Sequence, residues 1–327
     1  MKTFKIAGIE ISNRYVLAPM AGFSDFSLRA MANKYGCNLV YTEMESCEAL
    51  VYNSAPTIKD VKDTHLDKER NKDVKIALQC FGGKSESILK SIPLFEKYGD
   101  YDFLDFNCGC PVNKVIRQHA GSYWLNRQDE LIDLLSNMVK VSSKPVIVKL
   151  RTGFDKEIDL VSLCKRIQDV GVQAIAIHGR TRNEFFQGPV NYQLIGKVKE
   201  SVSIPVIANG DISLANYKDV FNITKADALM IGQNAIGYPK IFNDLIRDEE
   251  GLDISPNSLK LQLDDLKEHI NYMFDTKDER SAASILRGIS VRYIRNYSNS
   301  SKYRSRLVKC NTKAEYLDVI NSVQNEQ

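Results

Sequence analysis

No stretch of these 327 residues approaches the ~18 uninterrupted apolar residues that a membrane-crossing helix needs. Residues 1–14 alternate charges with single apolar residues, which leaves no secretory signal core there. The seven cysteines are odd in number and scattered, so they form no disulfide framework and fit a reducing cytoplasm. Around Cys108 and Cys110 there is no second C-x-C or histidine pair to complete a zinc site. No G-x-G-x-x-G follows the first apolar strand, so the fingerprint of a doubly wound dinucleotide fold is missing. There is no internal repeat and no low-complexity tract. What remains is 43% hydrophobic and 26% charged, the balance of a folded globular protein.

A net charge of +3 conceals an asymmetry. Residues 287–327 carry eight Lys+Arg against three Asp+Glu. Within 287–309 there are seven basic residues and no acidic one: Arg287, Arg292, Arg295, Lys302, Arg304, Arg306 and Lys309. Tyr293, Tyr297 and Tyr303 are interleaved with them. A basic stretch with aromatics on an otherwise neutral chain suits a phosphate backbone, and a solvated helix face would read the same way.

Short apolar, β-branched runs recur up to residue 231: Tyr15–Met20, Leu39–Met44, Lys75–Cys80, Asp102–Asn107, Pro145–Leu150, Ala174–His178, Pro205–Asn209 and Asp227–Ile231. Each is nearly continuous in apolar character, as strands covered on both faces are. Amphipathic stretches such as 85–98, 129–141, 159–170 and 214–221 separate them. The charged segment from Lys59 to Lys75 is the least regular. Eight strands alternating with helices predict a (β/α)8 TIM barrel, an α/β fold, over residues 1–250. An acidic stretch from Asp248 to Asp253, then Pro256, marks its end. Three helices, 259–275, 279–297 and 313–323, predict a small C-terminal helical domain over 251–327.

The active site of such a barrel lies at the C-terminal ends of its strands. Polar residues and glycines cluster at those ends: Pro19-Met20-Ala21, Gln79, Asn107-Cys108-Gly109-Cys110-Pro111, Lys149-Leu150-Arg151, His178-Gly179-Arg180, Asn209-Gly210-Asp211 and Gly232-Gln233. Glycines before helix starts after strands seven and eight favour a phosphorylated ligand. Lys149, ending an apolar strand, reads as a Schiff-base nucleophile, as a cation facing an electron-rich cofactor, or as a lysine reaching solvent. Cys110, on a glycine loop, reads as a nucleophile, a general acid or an inert packed thiol. His178 reads as a satisfied core histidine or, from its place at a strand end before Gly179-Arg180, as a ligand contact, which that place favours.

Together these residues resemble the tRNA-dihydrouridine synthase family. The resemblance covers almost the whole chain, from LAPMAGFSD to the basic C-terminal region. Its most specific block is DFNCGCPVNKV followed by Gly121-Ser122; AIHGRTRNEFFQGPVNY, PVIANGDI and ADALMIGQNAIGYPKIF follow in the family's order. The resemblance implies an FMN-dependent, NADPH-consuming reductase of uridine in tRNA. It implies that Pro19, Met20 and Ala21 lie against the flavin, that Gln79 and Lys149 contact its ring, and that His178, Asn209, Gly210, Asp211, Gly232 and Gln233 complete the cofactor site toward its phosphate. Cys110 is then the general acid, Asn107 and Arg180 place the uracil, and Arg287, Arg304 and Arg306 contact the RNA. Gln233 stands where the family has arginine, His119 where it has glycine, and Gly288-Ile289 where it has Lys-His.

Three other readings are open. An FMN barrel reductase acting on ribosomal RNA or on a free pyrimidine would share the chemistry, though a small-molecule enzyme has no use for seven basic residues in 23. A flavin-free RNA-binding barrel has only Gln233 in its favour, and a lysine aldolase only Lys149.

Overall fold

The computed structural model describes residues 2–294 and 300–326. Arg295 and Tyr297 of the basic stretch lie outside them. The chain opens with a hairpin, β1 (Phe4–Ile6) and β2 (Ile9–Ile11), turning on Ala7 and Gly8, both at positive φ. Alternating burial around a two-residue turn is the hairpin pattern. The sequence reading passed over this hairpin because three-residue strands give the alternation too little length.

Eight parallel strands then close into a barrel: β3 (Tyr15–Leu17), β4 (Leu39–Ser46), β5 (Lys75–Phe81), β6 (Phe103–Cys108), β7 (Val146–Arg151), β8 (Ile175–His178), β9 (Val206–Asn209) and β10 (Ala228–Ile231). Each pairs with the next, and β10 returns to β3 in the register Leu229↔Tyr15. This is the predicted TIM barrel. Inward-facing Val16, Leu39, Tyr41, Ala77, Phe103, Ile147 and Ala176 fill its lower half, and Phe4, Ile6 and Ile11 of the hairpin plug the N-terminal end. That leaves only the opposite end open.

Around the strands run α1 (Phe26–Lys34), α2 (Cys47–Val51), α3 (Ala55–Arg70), α4 (Ser85–Tyr98), α5 (Asn113–Ile116), α6 (Gln128–Val141), α7 (Leu160–Asp169), α8 (Tyr192–Ser201), α9 (Tyr217–Thr224) and α10 (Ile241–Glu249). Asp25, Asp159 and Asn191 cap α1, α7 and α8 by accepting backbone N–H groups. The segment read as irregular from Lys59 is mostly helix, as α3. Its buried face is Thr57, Val61, Thr64 and Asp67, helically spaced but with one apolar member, so hydrophobic periodicity had nothing to register. Asp67 is held by Arg29 of α1 through two bonds of 2.9 and 2.7 Å, both partners being buried.

The C-terminal region contains α11 (Leu259–Thr276), α12 (Glu279–Tyr293), α13 (Ser300–Leu307) and α14 (Lys313–Asn325). The second of the expected helices is α12, its expected end at Tyr297 lying outside the described residues, and α13 was not foreseen. In SSKYRSRL only Tyr303 and Leu307 are buried, one turn apart, too little for a periodic signal. Helix α11 lies against α1: Lys34 pairs with Asp265 at 2.8 Å and Glu268 at 2.6 Å, and the Tyr35 hydroxyl donates to Asp265. Among the described residues no helix is long and apolar enough to cross a membrane.

Candidate active site

A cavity of about 570 Å³ opens at the C-terminal ends of the barrel strands, within the ~300–1,000 Å³ range of small-ligand sites. Every residue assigned to the cofactor from sequence lines it: Pro19, Met20 and Ala21 after β3, Gln79 on β5, Lys149 on β7, His178 on β8, Asn209, Gly210 and Asp211 after β9, and Gly232 and Gln233 after β10. Asn107 and Cys110 line it as well. Arg180 does not: its guanidinium donates to Gly188 O and pairs with Asp211, while Nη1 is buried without a partner. Arg287, Arg304 and Arg306 lie away from the cavity in the helical region.

The thiol of Cys110 is clamped through its backbone. Its N–H donates to Asn107 Oδ1 at 2.9 Å, and its carbonyl accepts from Ser122 N at 3.1 Å and Ser122 Oγ at 2.9 Å. Gly121 is required beside it, since a Cβ there would lie 2.9 Å from Cys110 O at a φ of +63°. These contacts are the reason for the Gly121-Ser122 pair eleven residues on. Of the seven cysteines, only Cys110 escapes full burial, whereas Cys108 is packed in the core. Burial pushes the Cys110 thiol up, against opposing pulls from the Val112 N–H, Arg151 and Lys149. It therefore holds its proton at neutral pH, which suits an acid rather than a nucleophile.

Beneath it runs a polar chain. Asn107 Nδ2 donates to Gln79 Oε1 at 2.7 Å, and Gln79 Nε2 donates to Asp105 at 2.5 Å. Burial pushes Asp105 up to about 8, against the Gln79 bond and Lys149. Lys149 is brought down to about 8, first by burial and then by Arg151. The same cations, after burial, push His178 down to about 2, so its ring is neutral, and Nε2 is buried with no partner.

The β9 and β10 ends form a close-fitting rim. Gly210 sits at φ +125°, where a Cβ would press on Val190 and His178. Asp211 follows, also at positive φ. Asn209 Nδ2 donates to Met230 O at 2.9 Å, and Asn234 Nδ2 to Ile212 O at 2.8 Å, locking the two rims together. Gln233 is exposed, and Gly232 lies against Met20 and Ala18.

The sequence reading assigned no role to Arg151 or Asp105. Arg151, 2% exposed, donates to Gly109 O, Thr181 O and Phe185 O, each at 2.8 Å, so it ties the Cys110 loop to the loop after β8. Arg292 of α12 reaches the cavity lining and lies over Phe23, joining the helical region to the barrel mouth. Of the tyrosines interleaved with the basic residues, Tyr293 and Tyr303 are buried, and Tyr297 lies outside the described residues. His119, in the family's glycine position, takes φ +56°, the left-handed region glycine favours, and its ring stacks on Tyr123 at 4.7 Å.

The family model described as Dihydrouridine synthase (Dus) matches residues 16–327. The chain belongs to this family. A tRNA-dihydrouridine synthase B of Vibrio cholerae is 31% identical to this chain over 322 residues, 97% of each. One from Pasteurella multocida is 37% identical over 241 residues, 73% of this chain and 70% of that one. A probable tRNA-dihydrouridine synthase of Rickettsia conorii is 32% identical over 303 residues, 92% of this chain and 90% of that one. Among solved structures, TcOYE with pHBA matches with a TM-score of 0.56 at 13% identity, covering 80% of this chain and 95% of that one. Morphinone reductase in complex with tetrahydroNAD matches at 0.55 and 11%, covering 80% and 93%. Both share its barrel fold.

Proposed function

We infer that this protein reduces uridine to 5,6-dihydrouridine in tRNA, with FMN as its bound cofactor and NADPH as reductant. The observation that carries the reading is Cys110, a protonated thiol clamped at a cavity whose other walls suit a flavin. Gln79 keeps a second N–H and a second lone pair for a ligand after its two protein bonds. Lys149 supplies positive charge, and the unpartnered His178 Nε2 calls for a polar ligand atom. Gly210, where a Cβ would press on Val190 and His178, and Gly232 put backbone without side chains at the β9 and β10 ends, where a phosphate end would sit. Gln233, where the family has arginine, makes that end less positive, so backbone groups carry more of the binding.

Gln79, Lys149 and His178 would hold the flavin, which once reduced by NADPH would supply the hydride for C6 of the uracil. The protein does the rest. Asn107 places the ring from the cavity wall, whereas Arg180, outside the lining, holds the rim through Gly188 O and Asp211. Cys110 delivers the proton to C5, and its raised pKa keeps that proton in place until charge develops on the uracil. Lys149 stabilises negative charge on the cofactor side.

Residues 1–250 are the catalytic barrel in this reading and 251–327 the RNA-binding region, in the cytoplasm, where seven unpaired thiols stay reduced. Arg287 is exposed and hydrogen-bonded to Asn311, Arg306 reaches Ser322 at 3.3 Å, and the Arg304 guanidinium has no partner among the described residues. These three are the phosphate contacts. The target uridine leaves the RNA fold to enter the cavity.

Cys110→Ala tests the assignment. The variant keeps bound flavin and its reduction by NADPH, while dihydrouridine formation falls by ~10²–10⁴-fold, the usual worth of a positioned acid. Wild-type turnover in the variant would remove Cys110 from the mechanism.

A further inference from the structure

Asp105 lies on β6 two residues before Asn107, inside the barrel below the cavity lining, and the reaction described above does not use it. It is fully buried. Oδ2 accepts from Gln79 Nε2 at 2.5 Å, and Oδ1 is buried without a partner. Gln79 Oε1 accepts from Asn107 Nδ2 at 2.7 Å. Asn107 Oδ1 then accepts from two backbone amides, Gly109 N at 3.1 Å and Cys110 N at 2.9 Å.

The chain runs one way. The backbone amides of Gly109 and Cys110 require an oxygen, which fixes Asn107 with its NH₂ toward Gln79. That NH₂ requires an oxygen in turn, which fixes Gln79 with its NH₂ toward Asp105. Side-chain amides are nearly symmetric in shape, so only their partners decide which way they face. Asp105 is the acceptor that closes the chain. Without it, the Gln79 NH₂ faces no oxygen in a buried site. Turning Gln79 over would instead set its NH₂ against that of Asn107. One link is lost either way, and the last link holds the Cys110 amide.

We propose that Asp105 is a positioning residue for the proton donor, holding the Cys110 loop in place through Gln79 and Asn107. The proposal rests on Cys110 acting as the acid, but its test needs neither flavin nor RNA. Cys110 is the one cysteine not fully buried, so iodoacetamide labelling of the whole protein, read peptide by peptide, reports its loop.

Asp105→Leu raises the Cys110 labelling rate about tenfold, the factor equal to one lost hydrogen bond of ~1.4 kcal/mol. Gln79→Met gives the same rise, and the double variant gives no more, because both cut one chain. Asp105→Asn, which can still accept from Gln79, stays within about threefold of the wild type. With tRNA supplied, Asp105→Leu lowers kcat while KM for tRNA is unchanged. Unchanged labelling in Asp105→Leu, or effects that multiply in the double variant, would overturn the proposal. If Asp105→Leu does not fold, adding Asp105→Asn to Gln79→Met decides it: any further rise beyond Gln79→Met counts against a single chain. A failure here leaves the Cys110→Ala result standing, whereas wild-type turnover in Cys110→Ala would overturn the proton-donor role and leave the labelling result as a statement about the loop alone.

Discussion

Replacing Arg151 with methionine removes a buried cation whose three bonds reach two loops. Two of its acceptors, the carbonyls of Gly109 and Thr181, are buried, whereas Phe185 is exposed and its carbonyl can take up water. Hydrogen bonds from a charged group contribute ~1.5–3 kcal/mol each, so the two buried ones contribute roughly 3–6 kcal/mol. Part of this returns, because a guanidinium no longer has to be desolvated, and a net loss of about 2–4 kcal/mol remains. At ~2.1 cal/mol/K per residue a 327-residue chain loses about 1.5 °C for each kcal/mol, so Tm falls by roughly 3–6 °C. A second effect is electrostatic. Arg151 is the second cause, after burial, that brings Lys149 down to about 8, so its removal moves Lys149 upward. Differential scanning calorimetry reads the first effect and the pH dependence of FMN affinity reads the second. Arg151→Lys rescues neither loop, since one ammonium cannot span the three carbonyls. A Tm within 1 °C of the wild type, or full rescue by lysine, would refute the assignment of Arg151 as the tie between these loops.

Other outcomes follow from the same geometry. Lys149 is charged below about pH 8 and neutral above it, so FMN affinity is full below that pH and declines as pH rises through it. In Lys149→Met this pH break disappears and affinity is low throughout; a break that persists would mean another group is titrating. Arg304→Glu with Arg306→Glu weakens tRNA binding and flattens the slope of log affinity against log salt by ~0.7–0.9 per lost phosphate contact. An unchanged slope would make this arginine pair a solvated face.

The eight barrel strands were legible because covering on both faces makes each a continuous apolar run, and their ends pointed to the cavity. Cys110, Lys149, His178 and the glycines of the rim stood out because a polar residue or glycine is conspicuous where an apolar run stops. Asp105 and Arg151 were not legible for the opposite reason. Asp105 sits within the run DFLDFN, and its role depends on Gln79, 26 residues away. Arg151 reaches carbonyls 30 and 42 residues distant, and backbone carbonyls leave no mark in a sequence. Helix α3 escaped because its buried face is threonine and a paired aspartate. The basic stretch does not show that Tyr293 turns inward, because its hydroxyl bonds His269, 24 residues away, at 2.9 Å.

The most direct test follows the flavin's visible absorbance without oxygen, reducing the protein with NADPH and then adding tRNA that lacks dihydrouridine. The account predicts bleaching by NADPH, then rapid return of the oxidised spectrum on adding tRNA, with dihydrouridine formed in equal amount. A flavin that is reduced but stays reduced with tRNA, or a protein that takes up no FMN, would contradict it.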